Sequence, residues 1–487
     1  MRNSRPQIFR CDCFPVVFAV EEPIRRFKNE VREEGNVKLH GVHVPHRKNT
    51  ADCPPVRMPV PAVVTVPMSM NIGAPAKPVV KAGDTVKVGQ LIAEAGGFVS
   101  APIHSGVSGK VKKLDQILGS NGRYDTAIVI ETDGEQQVYE GISPPQVTDL
   151  DSFVEAVRGC GAVGLGGAGF PTAVKLKVKP EQVEAIVING AECEPYITSD
   201  TRTMLDDAQS IAEGAALLQK YYSARRIIMA IEDNKPQCIQ KMKEAGKEVP
   251  GFEVAALPAI YPQGGEKVII FHTTGKIVPE GKLPIDVGVL VINCTTLAVI
   301  AKYMKTGMPL VEKVITVDGS AVAKPQNVIV PVGTSIKDVL DFCGLKTEPQ
   351  KVLYGGPMMG IAVPDLNAPV MKNNNAVLAF SQADAREPVT TACIRCGRCA
   401  AHCPLKLMPA SFETAYRNNE PETLKALKVN LCMECGCCSY VCPAKRPLVQ
   451  VNKLSKAMLN QYNAQQKAQE EKKKAKAEEK KEARVNG

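Results

Sequence analysis

The chain has 487 residues, 44% of them hydrophobic, and a formal charge of +9; it is too long for one compact core, so three or more domains are expected. No DNA- or RNA-binding motif accompanies the modest basic excess, which removes nucleic acid from the expected partners and is weak evidence for a partner surface. Of the 17 cysteines, nine crowd between Cys393 and Cys442 at C-x-x-C intervals, a pattern of metal binding in a reducing compartment rather than of disulfides.

In chain order, residues 1–38 read as an extension with Cys11, Cys13 and a charged run from Arg25 to Glu34. Phe14–Val20 is too short to span a bilayer, and the acidic pair Glu21–Glu22 follows it where a signal peptide would place small residues. No longer apolar run offers a membrane span, so a soluble or peripherally attached protein is expected. Residues 39–145 change to short apolar runs punctuated by glycine and proline, as in Lys81-Ala-Gly-Asp-Thr-Val-Lys-Val-Gly-Gln90 and Gly106-Val-Ser-Gly-Lys-Val111. This is β-hairpin chemistry, and the segment resembles the biotinyl/lipoyl barrel-sandwich domains. Those domains carry a modified lysine at a hairpin tip; the corresponding interval, Leu91 to Ser100, contains none. A structural barrel is therefore expected, not a swinging arm.

Over 146–308, the apolar runs Ala185–Asn189, Arg226–Ile231 and Gly288–Asn293 alternate with helix-like stretches such as Asp206–Tyr222. Buried parallel strands have this look, so a Rossmann-like α/β layer is expected. Residues 309–384 give a small α+β unit: strands at Val314–Gly319 and Asn327–Gly333, then a helix at Ser335–Phe342. That unit resembles the soluble-ligand-binding β-grasp (SLBB) domain. A cysteine-rich domain over 385–452 and a Lys/Glu/Gln/Ala-rich tail over 453–487, a solvated helix or a disordered segment, complete the chain.

The glycine-rich run Gly161-Ala-Val-Gly-Leu-Gly-Gly-Ala-Gly-Phe-Pro-Thr172 precedes Lys175. Glycines permit positive φ and close backbone approach, presenting N–H donors to phosphate, although structural loops share that composition. Its pattern, from Gly164 through Gly166, Gly167, Ala168, Gly169 and Phe170 to Lys175, resembles the flavin loop of the NADH-binding subunit of respiratory complex I. Three further stretches follow that subunit in order: Asn189-Gly-Ala-Glu-Cys-Glu-Pro195, Tyr261-Pro-Gln-Gly-Gly-Glu266 and Ile292-Asn-Cys-Thr-Thr-Leu297. Ala191 and Gly265 depart from the acidic residues of the pattern. The resemblance implies FMN contacts for Gly164, Gly166, Gly167, Lys175, Asn189, Glu192 and Asn293, with Ala168, Gly169, Gly264 and Thr296 in the same cofactor-binding stretches. It places Phe170, Glu194, Tyr261 and Glu266 near the nicotinamide nucleotide. Taken alone, Phe170 and Tyr261 read as packing.

Cys393-Ile-Arg-Cys396-Gly-Arg-Cys399-Ala-Ala-His-Cys403-Pro404 and Cys432-Met-Glu-Cys435-Gly-Cys-Cys438-Ser-Tyr-Val-Cys442-Pro443 both fit C-x2-C-x2-C-x3-C-P, the bacterial ferredoxin pattern. Two-residue spacers let three thiolates wrap one cube while the fourth crosses to its neighbour. One [4Fe–4S] cluster is then expected on Cys393, Cys396, Cys399 and Cys442, the other on Cys432, Cys435, Cys438 and Cys403. Cys437 is left over. Zinc is the competing reading, but two sets of four with a proline after each last cysteine are unusual for zinc ribbons.

This order of barrel, flavin domain, β-grasp domain and 2[4Fe–4S] ferredoxin domain resembles the C subunit of the Rnf (Rsx) ion-translocating electron-transport complexes over roughly residues 38–450. The extension lies outside the match and is compatible with a start site placed too early. The resemblance implies a peripheral subunit on the cytoplasmic side of the cell membrane, an iron–sulfur flavoprotein passing electrons between NAD(H), FMN and two [4Fe–4S] clusters. It implies integral membrane subunits and a ferredoxin-like subunit as partners, with ferredoxin reached indirectly. A soluble flavin/iron–sulfur reductase such as a cobalamin reductase is the enzyme alternative, and a flavin-free cluster relay or scaffold is the non-catalytic one. The sodium-pumping quinone reductase A subunit lacks such cluster cysteines.

Overall fold

The computed structural model describes residues 40–119 and 122–485; the expectations for the N-terminal extension fall outside them. After a short strand β1 (Val56–Arg57) come β2 (Val63–Pro67), β3 (Lys77–Pro78), β4 (Thr85–Val86), β5 (Leu91–Glu94), β6 (Ile103–His104), β7 (Gly109–Leu118) and β8 (Tyr124–Thr132). They form a four-stranded sheet, β2-β8-β7-β4, and a three-stranded one, β3-β5-β6. On β2 the alternate residues Val64 and Val66 face inward opposite Ile130 and Ile128, and they close one core with Ile92 and Ile103.

The middle of the chain supplies α1 (Leu150–Gly159), α2 (Thr172–Leu176), β9 (Ala185–Asn189), α3 (Ser199–Asp206), α4 (Ala208–Tyr222), β10 (Arg226–Glu232), α5 (Pro236–Ala245), β11 (Phe252–Leu257), α6 (Glu266–Thr274), β12 (Val289–Asn293) and α7 (Cys294–Thr306). The sheet is parallel throughout, in the order β11-β10-β9-β12. Ile186 and Ile188 of β9 pack on one face and Val187 on the other, each side covered by helices. This double burial is why β9 is apolar without alternation. The stretch expected as one helix from Asp206 is interrupted at Asp207, which leaves helical geometry between α3 and α4.

A third sheet joins β13 (Glu312–Asp318), β14 (Gln326–Pro331), β15 (Lys351–Tyr354), β16 (Ile361–Ala362) and β17 (Ala376–Phe380), with α8 (Ile336–Cys343) packed on it and α9 (Gln382–Ala385) following. Its order is β1-β14-β13-β17-β15-β16, so the strand preceding the barrel is the edge of the β-grasp sheet. The remainder is helical: α10 (Arg398–Ala401), α11 (Pro409–Arg417), α12 (Pro421–Ala426), α13 (Cys437–Tyr440) and α14 (Leu448–Val485). The charged tail is thus the end of a helix whose first turns are structural, with Leu448, Asn452, Ser455 and Leu459 buried. The molecule is multidomain α/β and α+β, as expected. Among the described residues no helix is long and apolar enough to cross a membrane.

Candidate functional site

The chain runs from β9 outward through β10 to β11, then returns to place β12 on the other side of β9. The sheet therefore has a switch point between β9 and β12, where open parallel sheets bind ligands beyond the carboxyl ends of their strands. Asn189 and Asn293 end these strands in register with each other. Asn189 donates to the Gly264 carbonyl at 2.9 Å. Asn293 caps α7 by accepting from Thr296 N at 3.0 Å, and it donates to Asp200 at 2.8 Å.

The glycine-rich loop lies directly over this point. A bridge between Val163 and Pro171 closes its base, and Leu165 N donates to the buried Thr296 hydroxyl at 2.9 Å. A Cβ on Gly166 would stand 3.0 Å from the Asn293 amide nitrogen, a tight contact that the glycine avoids. Gly167 has φ +114°, closed to most side chains whatever the space around it. Gly166, Gly167 and Ala168 are exposed, and among the described residues their N–H groups find no protein acceptor. Lys175 on α2 stands on the same rim, donating to Glu266 at 2.8 Å and to the Val291 carbonyl at 3.1 Å. An open rank of N–H donors, the start of a helix and a lysine together suit an anionic phosphate.

Three of the expected nucleotide and flavin residues are committed elsewhere. The Glu192 carboxylate is buried and accepts from Asp200 N at 2.7 Å, Thr201 N at 3.2 Å and the Thr201 hydroxyl at 2.7 Å, capping α3. Glu194 accepts from Met358 N at 3.0 Å and Met359 N at 2.7 Å, and burial pushes its carboxyl up to about 7. Tyr261 is 2% exposed and donates to the Cys435 carbonyl at 2.7 Å. Phe170 is half-buried beside the loop. The organising residue missed from sequence is Lys48, whose ammonium donates to the carbonyls of Glu192 at 2.8 Å, Glu194 at 2.7 Å and Ile197 at 2.5 Å. No motif announced it, because it arrives from a segment far away in sequence.

The two cysteine runs repeat one backbone path: Arg395 and Gly397 in the first, Glu434 and Gly436 in the second, all have positive φ at matching steps. Cys403, Cys432, Cys435 and Cys438 line one small cavity with Leu405, Phe412 and Val449. Cys393, Cys396, Cys399 and Cys442 line a second, larger space. Each fourth cysteine sits in the cavity of the other run. The surplus Cys437 also borders the first cavity, 1% exposed, with its thiol 3.9 Å from the Tyr261 carbonyl. Among the described residues no His, Cys, Asp and Glu side chains converge on a point as a single ion would require; these cysteines ring volumes instead. The side chain of Asn452 donates to Cys432 Sγ at 3.4 Å.

The first cavity is docked on the rest of the molecule. Cys435 and Cys437 share a buried apolar cluster with Val42, Val44, Cys193 and Tyr261. Met433 fills the place where a Cβ on Gly265 would fall, at 2.3 Å. The glycine at position 265 thus lies against the end of the Met433 side chain. In the second cavity Cys393 and Cys396 are exposed.

Comparison with known proteins agrees with this architecture. Residues 38–135 match the RnfC barrel sandwich hybrid domain, 157–302 the Nuo51 FMN-binding domain and 314–362 the SLBB domain. The C subunit of the proton-translocating ferredoxin:NAD(+) oxidoreductase complex of Clostridium ljungdahlii is 42% identical over 378 residues, 76% of this chain and 82% of that protein. The chain belongs to the family of C subunits of ion-translocating oxidoreductase complexes. The C subunit of the Na(+)-translocating ferredoxin:NAD(+) oxidoreductase complex of Acetobacterium woodii is 40% identical, over 78% of this chain and 87% of its own. That of the ion-translocating oxidoreductase complex of Rhodobacter capsulatus is 38% identical over 86% of this chain and 83% of its own. Family membership accounts for the order of the barrel, the α/β layer and the β-grasp unit along the chain.

Proposed function

We propose that this chain is the subunit of a membrane-bound, ion-translocating ferredoxin:NAD+ oxidoreductase that passes electrons between NAD(H) and its partner subunits through FMN and two [4Fe–4S] clusters. The observation that carries the reading is the partition of eight cysteines into two cavities, one docked on the flavin-type layer and one open to solvent. A zinc site draws its thiolates to about 2.3 Å from one ion; cavities ringed by four cysteines suit a cube. The organisation assigned is a barrel over 39–145, an FMN/NADH layer over 146–308, a β-grasp unit over 309–384, a cluster unit over 385–452 and a helical tail over 453–487.

In this reading Gly164, Gly166, Gly167, Ala168, Gly169 and Lys175 hold the flavin phosphate, with Asn189 and Asn293 at the strand ends beneath. Thr296, Gly264 and Glu192 support them from inside. Phe170 and Glu266 border the nicotinamide side, while Glu194 and Tyr261 brace the docked cysteine run. When bound, the flavin exchanges hydride with nicotinamide and the clusters carry single electrons. The chain's own part is to exclude water from the docked cavity with Leu405, Phe412 and Val449 and to orient its thiols through Asn452. The exposed second cavity is the face for a ferredoxin-like or integral membrane partner on the cytoplasmic side. The relatives favour this over a soluble reductase.

Anaerobic reconstitution with iron, sulfide and FMN tests the cofactor set. About eight irons and about one flavin per chain are expected. One or two zinc ions bound in preference to iron, or no flavin uptake, would contradict it.

A further inference from the structure

The carbonyl side of the glycine-rich loop is held from outside the α/β layer. Lys372 Nζ donates to the Gly161 carbonyl at 2.8 Å and to the Pro102 carbonyl of the barrel at 2.6 Å. Lys313 Nζ donates to the Leu165 carbonyl at 3.2 Å, and Asn373 Nδ2 to the Gly167 carbonyl at 3.0 Å. All three come from the β-grasp unit. The barrel adds Ile72 N, which donates to the Gly169 carbonyl at 2.9 Å. With these four carbonyls taken, the loop keeps the N–H groups of Gly166, Gly167 and Ala168 for the open face.

The two lysines are unusual in themselves. Lys372 is 1% exposed and Lys313 5%, and among the described residues neither forms an ion pair. Burial pushes both ammonium groups down to about 7. Asp200, whose field acts on Lys313, is occupied by Asn293 and Thr295. Around Lys372, burial lowers His104 to about 3 and raises the Cys160 thiol to about 12, so neither supplies a countercharge at neutral pH. A buried cation without a counterion is costly, and proteins keep one where a ligand completes the pair.

We propose that Lys313, Lys372 and Asn373 are positioning residues of the flavin-phosphate cradle, the two lysines also giving it a buried positive field that the ligand's phosphate neutralises. This rests on the reading of the loop as an FMN site. It makes FMN binding depend on the β-grasp unit, which contributes no residue of the flavin motif.

The test is titration of the full apo chain with FMN and, separately, with riboflavin, which has the same ring system and no phosphate. Lys372→Met and Lys313→Met should each weaken FMN by about tenfold and riboflavin by less than roughly twofold. Asn373→Ala should weaken FMN alone by a smaller factor. Equal losses for both flavins, or no loss for FMN, would overturn the proposal. Should the lysine variants fail to fold by circular dichroism, Asn373→Ala decides by the same comparison, since its side chain is half-exposed and not part of a core. If the unaltered chain takes up neither flavin, the FMN reading itself falls, a result distinct from unaltered binding by the variants.

Discussion

Lys48 shows how one side chain can organise a loop that carries no regular structure. Its ammonium is buried, which lowers its proton affinity, and the Glu192 carboxylate acts in the opposite sense. Three carbonyls of the 192–197 segment converge on it, and that segment carries both Glu192, the cap of α3, and Glu194, the brace of the 358–359 backbone. Lys48→Met would strand these carbonyls and leave Glu192 without its nearest cation. A loss of roughly 3 kcal/mol is expected, read as a lowered denaturant midpoint. An unchanged midpoint would mean that water or Lys235 replaces the ammonium. At this scale a sequence motif singles out a residue without giving its partners: the resemblance implied a flavin contact for Glu192. Its actual partners, Asp200 N and Thr201 N, are local groups that any acidic residue in a flavin-like loop could also have faced.

The elements with the clearest patterns were the most legible. Ala185–Asn189 and Gly288–Asn293 read as buried parallel strands because they are apolar without alternation, and they became neighbours with their polar ends in register. The cysteine runs were legible because their spacing is itself geometry, and the repeated positive-φ positions show the same path drawn twice. Strand β1 was not legible: two residues, Val56 and Arg57, pair with Val328 and Ile329 across most of the chain, a contact no local pattern encodes. The crossed cysteine sets give a prediction at this scale. Cys403→Ser, Cys432→Ser and their double variant should each keep about four of eight irons, since all three lose the same cluster. Cys403→Ser combined with Cys393→Ser should lose nearly all. Iron loss in the Cys403/Cys432 double variant as deep as in the Cys403/Cys393 one would contradict the crossed ligation.

On the scale of the whole molecule, the units hold one another at the glycine-rich loop and at the second cysteine run. The β-grasp unit and the barrel grip the flavin-type loop by its carbonyls. The docked cysteine run is seated through Tyr261 and Met433 on the α/β layer, and Gly436 abuts the Met358 carbonyl, where a Cβ would stand at 2.7 Å. The remaining run is turned outward, with Cys393 and Cys396 exposed. In the proposed reading this arrangement orders the stations as flavin loop, docked cavity, outer cavity and partner. Short sequence motifs marked the glycine-rich loop and the two cysteine runs, while which run is docked and which is exposed came only from tertiary packing.

The most direct measurement is an anaerobic titration of the reconstituted chain with NADH, followed by visible and EPR spectra. Bleaching of the flavin band, then signals of reduced clusters with iron content unchanged, is the expected sequence of events. Reconstituted clusters that stay oxidised in the presence of bound FMN and excess NADH would contradict the proposed path.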